Sequence, residues 1–353
     1  RAPLCRGRRE AGPRAAATPG PRPRLGESWQ NGTVRQAVVA AVLGCALVVT
    51  ACSGDSEPPS SSGAVEEPFV PVYDSTLAPA AAVMTLVPED ATVLVVTDYD
   101  QLRLQLGLAG LTGESSAQER ETFARRAARE AVVFFPGLLL ADDQQLRDDY
   151  GFSQDDVAWE ARFGTPTGEG FVLGLRDGLD LDGVEQAVSD GVGALDGARL
   201  DRSRLLVTSG TTDAPADSWA ADPARVALVG PSAAATYVDT GCIPYDVAFD
   251  DTDADDLAPA PAAELRSLDE LNAFSVSYGT ELVTVRLGQV RNDVFDRARL
   301  PEILPRTDPE FALGYLDPVA DPSGGRIGYQ LGDPDVAESL ARERRLPFAV
   351  CST

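Results

Sequence analysis

The most abundant chemistry in this 353-residue chain is carboxylate: it holds 55 Asp and Glu residues. They are densest in Asp250-Asp-Thr-Asp-Ala-Asp-Asp256, where Asp251, Asp253 and Asp255 take the alternate spacing that opens a calcium loop. The pattern stops there. Counted from Asp251, the loop's glycine position is Asp256 and its closing glutamate position is Ala262. The three aspartates are therefore weak metal candidates, and a solvated acidic loop is the expectation. Two carboxylates alone could hydrolyse a glycosidic bond. Among so many acids, however, no pair is singled out. Trp159 alternates with Val157 and Phe163 and reads as core rather than as a sugar platform. No catalytic residue and no cofactor is assigned, and the chain is not expected to be an enzyme.

What is missing excludes more. There is no histidine, which removes imidazole-dependent triads, imidazole metal ligands and imidazole proton shuttles. All 30 basic residues are arginine, so Schiff-base chemistry and the phosphate-binding P-loop are also excluded. The net charge of −25 is unevenly spread. Residues 1–51 carry eight arginines against two acids, and the remainder carries 22 against 53. A body this acidic repels a phosphate backbone, so no nucleic-acid partner is expected. Apolar residues make up 44% of the chain, enough for a packed core.

Residues 37–51 form a run of fifteen apolar or small residues behind Arg35. At roughly 1.5 Å per residue a helix of that length falls short of a bilayer core of about 30 Å, and it suits the apolar stretch of a signal peptide. The run ends in Val49-Thr50-Ala51-Cys52-Ser53-Gly54. Residues 35–54 resemble the signal peptide and lipobox of bacterial lipoproteins, with Val49 where leucine is commonest. Arginine without lysine fits the codon usage of a high-GC genome, such as an actinobacterium's. The resemblance implies cleavage before Cys52, a lipid on its thiol, and a mature protein anchored to the cell membrane on the extracytoplasmic face. Cys5 and Cys45 would be removed. With Cys52 acylated, the two remaining thiols, Cys242 and Cys351, are expected to pair as a disulfide. Residues 1–33 read as an upstream extension, with translation expected to start near Val34.

Residues 52–82, rich in Ser and Pro, are expected to form a flexible tether. The body is then 83–353, with possible halves 83–212 and 222–353. The β-branched run Thr92–Thr97 predicts a central strand and Tyr99–Leu108 a helix. Ser116 and Glu119 are spaced as a capping box opening a helix, with Phe123, Ala127, Ala128 and Ala131 on one side and Pro136 ending it. Alternation at Val157–Phe163, a strand at Phe171–Leu175, a helix opened by Asp182 and a strand at Leu205–Thr208 form one unit. Alternation at Phe311, Leu313 and Tyr315, a turn at Asp317–Gly325, a strand at Ile327–Leu331, a helix capped by Asp333 and a strand at Pro347–Cys351 form a similar one. A hairpin, Phe274–Tyr278 and Val283–Leu287, lies between them. The fold class read from this is α+β: antiparallel sheet with helices packed on one face, possibly as two β-β-α-β halves. The function expected is a binding or scaffolding role for a lipid-anchored envelope protein, with its protein or small-molecule partner unknown. A carboxylate-dependent envelope hydrolase and a solute-binding lipoprotein are the alternatives.

Overall fold

The computed structural model describes residues 72–231, 233–249, 262–303 and 310–352. Cys52, the segment around it, and Asp251, Asp253 and Asp255 lie outside the described residues. No described helix is long and apolar enough to cross a membrane.

The run from Thr92 forms β1 (Val93–Asp98), fifth in a ten-stranded sheet ordered β4-β5-β3-β2-β1-β6-β7-β8-β10-β9. The other strands are β2 (Val157–Thr165), β3 (Gly168–Leu175), β4 (Arg199–Asp201), β5 (Leu206–Ser209), β6 (Ala235–Asp239), β7 (Phe274–Tyr278), β8 (Leu282–Arg286), β9 (Tyr315–Asp321) and β10 (Arg326–Leu331). Every neighbouring pair is antiparallel. Counted outward from the β1–β6 pair, each half of the sheet runs first, second, third, fifth, fourth strand of its own segment. β1 and β6 meet antiparallel, Val93 opposite Asp239 and Val95 opposite Tyr237. The two halves are therefore related by an approximate twofold turn about the sheet normal. In that relation the hairpin β2–β3 corresponds to β7–β8, and the pair β4–β5 to β9–β10. The fold is α+β.

Side-chain alternation divides the core. Val95, Leu173, Tyr237 and Val276 point to the face covered by α2 (Tyr99–Gln105), α3 (Ala117–Glu130) and the helices Leu181–Asp190, Val294–Ile303 and Pro334–Arg342. Leu94, Val96, Phe163 and Val238 point to the other face. There α1 (Pro79–Ala82), the turn Val83–Thr85 and the fully buried Trp219 cover them. The indole of Trp219 donates to the Ala91 carbonyl at 3.2 Å. This corrects the tether boundary: Ala80 and Ala82 are already core residues, so packed structure begins before Val83.

Four local expectations are also corrected. Phe311 to Gly314 form a helical turn rather than a strand, and β9 starts at Tyr315 and runs to Asp321. The reason is spacing: Phe311 stacks on Tyr315, four residues on, with ring centroids 4.8 Å apart. Pro347–Ala349 is a 3₁₀ turn, followed by a single parallel bridge between Val350 and Ile243, so the second unit has no closing strand. The carbonyls of Phe348 and Val350 are instead taken by the Arg297 guanidinium, at 3.1 and 2.8 Å. The third helix cap is Asp180, whose carboxylate accepts from the Asp182 amide at 3.0 Å. Finally, α3 ends at Glu130, with Ala131 extended, well before Pro136.

The C-terminal segment is tied down twice. Cys242 and Cys351 come together in a disulfide across 109 residues, their Cα atoms 4.8 Å apart. Arg297, wholly buried, pairs with Asp293 and donates to the Asp269 carbonyl at 2.8 Å. Burial pushes the Asp293 carboxyl up, but hydrogen bonds from Arg291 and Arg297 outweigh it and hold the group below the usual carboxylate range.

Candidate functional site

The best-formed concavity is a cleft of about 420 Å³ between α2, α3, the segment 133–155 and the start of the helix Pro334–Arg342. Its position follows from two caps. The Asp98 carboxylate accepts from the Gln101 amide at 2.8 Å and starts α2 directly at the end of β1. Ser116 and Glu119 form a reciprocal capping box and start α3. Phe123 and Ala127 then face the core, while Ala124 and Ala128 turn small side chains to the open cleft. Alanines on this wall leave the space that larger side chains would fill.

Arg103 sits at the floor. Along α2 the usual order is inverted: Arg103 is 1% exposed and Leu104 is 61% exposed. The guanidinium donates to Asp100 at 2.8 Å, to the Val157 carbonyl at 3.0 Å and to the Asp155 carbonyl at 2.9 Å. It also lies over the rings of Tyr99 and Phe123, 5.9 and 5.6 Å from their centroids. Burial lowers its pKa, and the Asp100 carboxylate opposes that shift. Its Nε has no hydrogen-bond partner. Beside it is Gln154, 5% exposed, whose Oε1 accepts from the Leu139 amide at 2.8 Å and whose Nε2 has no partner. Both atoms are closed off from solvent, so neither is offered to the open cleft. Such groups are uncommon, and each costs about 1–3 kcal/mol when left unmet.

The charged wall is internally paired. Arg147 joins Asp143 at 2.5 Å and Asp155 at 3.8 Å, and Arg120 meets Asp155 at 3.3 Å. Burial raises the Asp155 carboxyl, while Arg103, Arg120 and Arg147 pull it back. At the rim, burial raises Glu338, against the pull of Arg342. Behind the floor, the phenol of Tyr99 donates to the buried Glu160 at 3.3 Å, and Glu160 accepts from the Leu138 amide at 2.8 Å.

No family profile matches the chain, and comparison with curated proteins and with solved structures finds no match. Function must be argued from the site itself. Asp143 and Asp155, two of the acids that line the cleft, share Arg147 as ion pairs. No group of three or more metal-ligating side chains occurs among the described residues.

Of the residues singled out in the sequence, Cys242 and Cys351 are brought together, away from this cleft. The lipidation candidate Cys52 and the metal candidates Asp251, Asp253 and Asp255 lie outside the described residues. The side of α3 bearing Phe123, Ala127, Ala128 and Ala131 lines the cleft. Arg103 and Gln154 carried no motif. The one legible signal was Leu102-Arg103-Leu104, an arginine holding the inward position while a leucine points out.

Proposed function

We propose that this protein is a lipoprotein held at the outer face of the membrane through Cys52, and that its body binds a small molecule in the α2–α3 cleft. Two features support the anchor: the lipobox-like Val49–Gly54 and the Cys242–Cys351 pairing suited to an oxidising compartment. The binding role is carried by one observation, a cleft of about 420 Å³ walled largely by Leu102, Phe123, Ala124, Ala128, Val133 and Leu140. Its volume lies within the roughly 300–1,000 Å³ of small-molecule sites.

Ligand that binds only the folded state raises the melting temperature. The full chain, screened by thermal unfolding against neutral apolar molecules, should be stabilised by at least one of them. Ala128→Trp, placed on the cleft wall, should lose that response without losing the fold. A panel that moves neither protein contradicts the binding role.

A further inference from the structure

We infer that the protein has a second binding site, for a neutral sugar, where the Trp159 indole lines a polar cavity at the end of β1. The indole takes the C–H face of the sugar ring, and Asp100, Asp177 and Arg204 take its hydroxyls. The cavity shares no lining residue with the α2–α3 cleft and does not depend on the role given to that cleft.

Alternation places Trp159 with Val157 and Phe163 in the core, and those two are buried. Trp159 is only partly buried, packed against the cluster that holds Trp219. Its partner across the strands explains this. Trp159 of β2 pairs with Gly174 of β3. Three atoms of the pyrrole ring, Nε1, Cε2 and Cδ1, lie over that glycine, where a methyl group would collide with them. One face of the indole therefore rests on Gly174 and the other is turned outward. Its N–H has no acceptor among the described residues and is not closed off from solvent.

The cavity beside the indole measures about 560 Å³. Its polar groups are held in place yet leave atoms free. One oxygen of Asp100 accepts from Arg103 at 2.8 Å and lies 3.6 Å from Nε of Arg176. The Asp100 side chain is 46% exposed, and its other oxygen has no partner among the described residues. Asp177 is exposed and makes no hydrogen bond or ion pair among the described residues. Arg204 faces Asp201 through Nε at 3.6 Å and lies over the Tyr73 ring, 5.7 Å from its centroid. Its terminal nitrogens are left for a ligand.

The ligand class follows from this set. The cavity offers donors, from Trp159 and Arg204, beside acceptors, from Asp100 and Asp177. A hydroxyl answers both, because it donates and accepts. The outward face of the indole is the negative end of its quadrupole and takes the weakly positive C–H groups of a pyranose. Asp74, Asp100 and Asp177 outnumber Arg176 and Arg204 in the lining, within a chain of net charge −25, so an anion is repelled. An organic cation suits the ring and the acids but leaves the indole N–H and Arg204 without acceptors.

The test is an NMR titration of the full chain, isotope-labelled at the indole nitrogens. The probes are the methyl glycosides of glucose, mannose, galactose and N-acetylglucosamine, with choline and glucuronate run beside them at matched ionic strength. At least one glycoside should shift the Trp159 indole N–H saturably in the millimolar range. The Trp219 indole, held by the Ala91 carbonyl, should stay in place. Asp177→Ala, at an exposed residue, should weaken that glycoside roughly tenfold, the worth of about one hydrogen bond to a charged group. Trp159→Leu, followed by calorimetry, should abolish its binding, and Asp177→Ala keeps the test decisive if that variant does not fold.

A Trp159 signal that no glycoside shifts saturably overturns the site, as does a shift that moves Trp219 equally. Tighter binding of choline or glucuronate than of every glycoside overturns the neutral class. Unchanged glycoside affinity in Asp177→Ala overturns the assignment of the hydroxyl contacts.

Discussion

Nε of Arg297 lies 2.6 Å from Oδ2 of Asp293, one helical turn away, and neither side chain is reached by solvent. The pair stands at the start of the helix Val294–Ile303 and reaches the carbonyls of Phe348 and Val350. It therefore joins that helix to the C-terminal segment. Removing Arg297 leaves Asp293 to Arg291 alone and strips the buried carbonyls of Phe348, Val350 and Asp269 of their donor. Arg297→Leu should destabilise the protein by about 3–5 kcal/mol. Urea unfolding measures this, and a loss below about 1 kcal/mol would show that the ion pair is not the clamp described.

The disulfide acts on the same segment from the other side. Reduction, or the double change Cys242→Ser with Cys351→Ser, should lower stability by about 2–5 kcal/mol. The two treatments should agree. Mass analysis after alkylation without reductant should leave both thiols unmodified, and labelling of Cys242 and Cys351 in the unreduced protein would contradict the pairing.

A pH dependence follows from Asp98, the cap of α2. Burial pushes its carboxyl up to about 6, against hydrogen bonds from the Gln101 and Asp100 amides. Unfolded, the group titrates near its ordinary value of 3.8. Between about pH 4 and pH 6 the folded state holds the Asp98 proton more tightly than the unfolded chain does, so this residue's contribution to stability falls as pH rises through that window. Asn keeps the cap and cannot ionise. Relative to Asp98→Asn, wild type should lose about 1–2 kcal/mol between pH 4 and pH 7, a value reduced for partial exposure. Parallel stability curves for the two proteins would show that Asp98 does not titrate in this way.

The capping box at α3 gives a local prediction. The Ser116 hydroxyl accepts from the Glu119 amide at 3.3 Å, and Glu119 accepts from the Ser116 amide at 2.9 Å. Ser116→Ala should cost about 1 kcal/mol and speed amide exchange in the first turn of α3. Unchanged exchange there would mean the box does not hold the helix that forms the cleft wall.

Much of this framework could be read before any coordinates. β1 was visible because a β-branched run has few alternatives to a buried strand. The start of α3 was visible because a capping box is a local pattern. Where tertiary contacts decide, the reading fell short. Alternation at Phe311, Leu313 and Tyr315 fits a strand, yet the stacking of Phe311 on Tyr315 favours a helical turn. Pro347–Cys351 has strand-forming residues, but its carbonyls are claimed by an arginine fifty residues earlier. The short strands β4 and β6 gave no separate signal in the sequence. β6 is where the two halves of the sheet join, and the matching strand order on either side becomes visible only once β6 is placed beside β1. The cleft was the least legible part. Its wall of alanines is legible as a helix face, but the cleft exists because α2, the segment 133–155 and the helix Pro334–Arg342 pack around that face, and the sequence does not show this.

The most direct measurement is where a bound molecule sits. With alanine methyl groups labelled for NMR, titration of the full chain with a neutral apolar molecule that raises its melting temperature should shift the methyls of Ala124, Ala127, Ala128 and Ala131 in a saturable way. The methyls of Ala235 and Ala341, in the core under the other half of the sheet, should stay in place. Saturable shifts confined to residues away from α3, or none at any concentration, would contradict the cleft as the binding site.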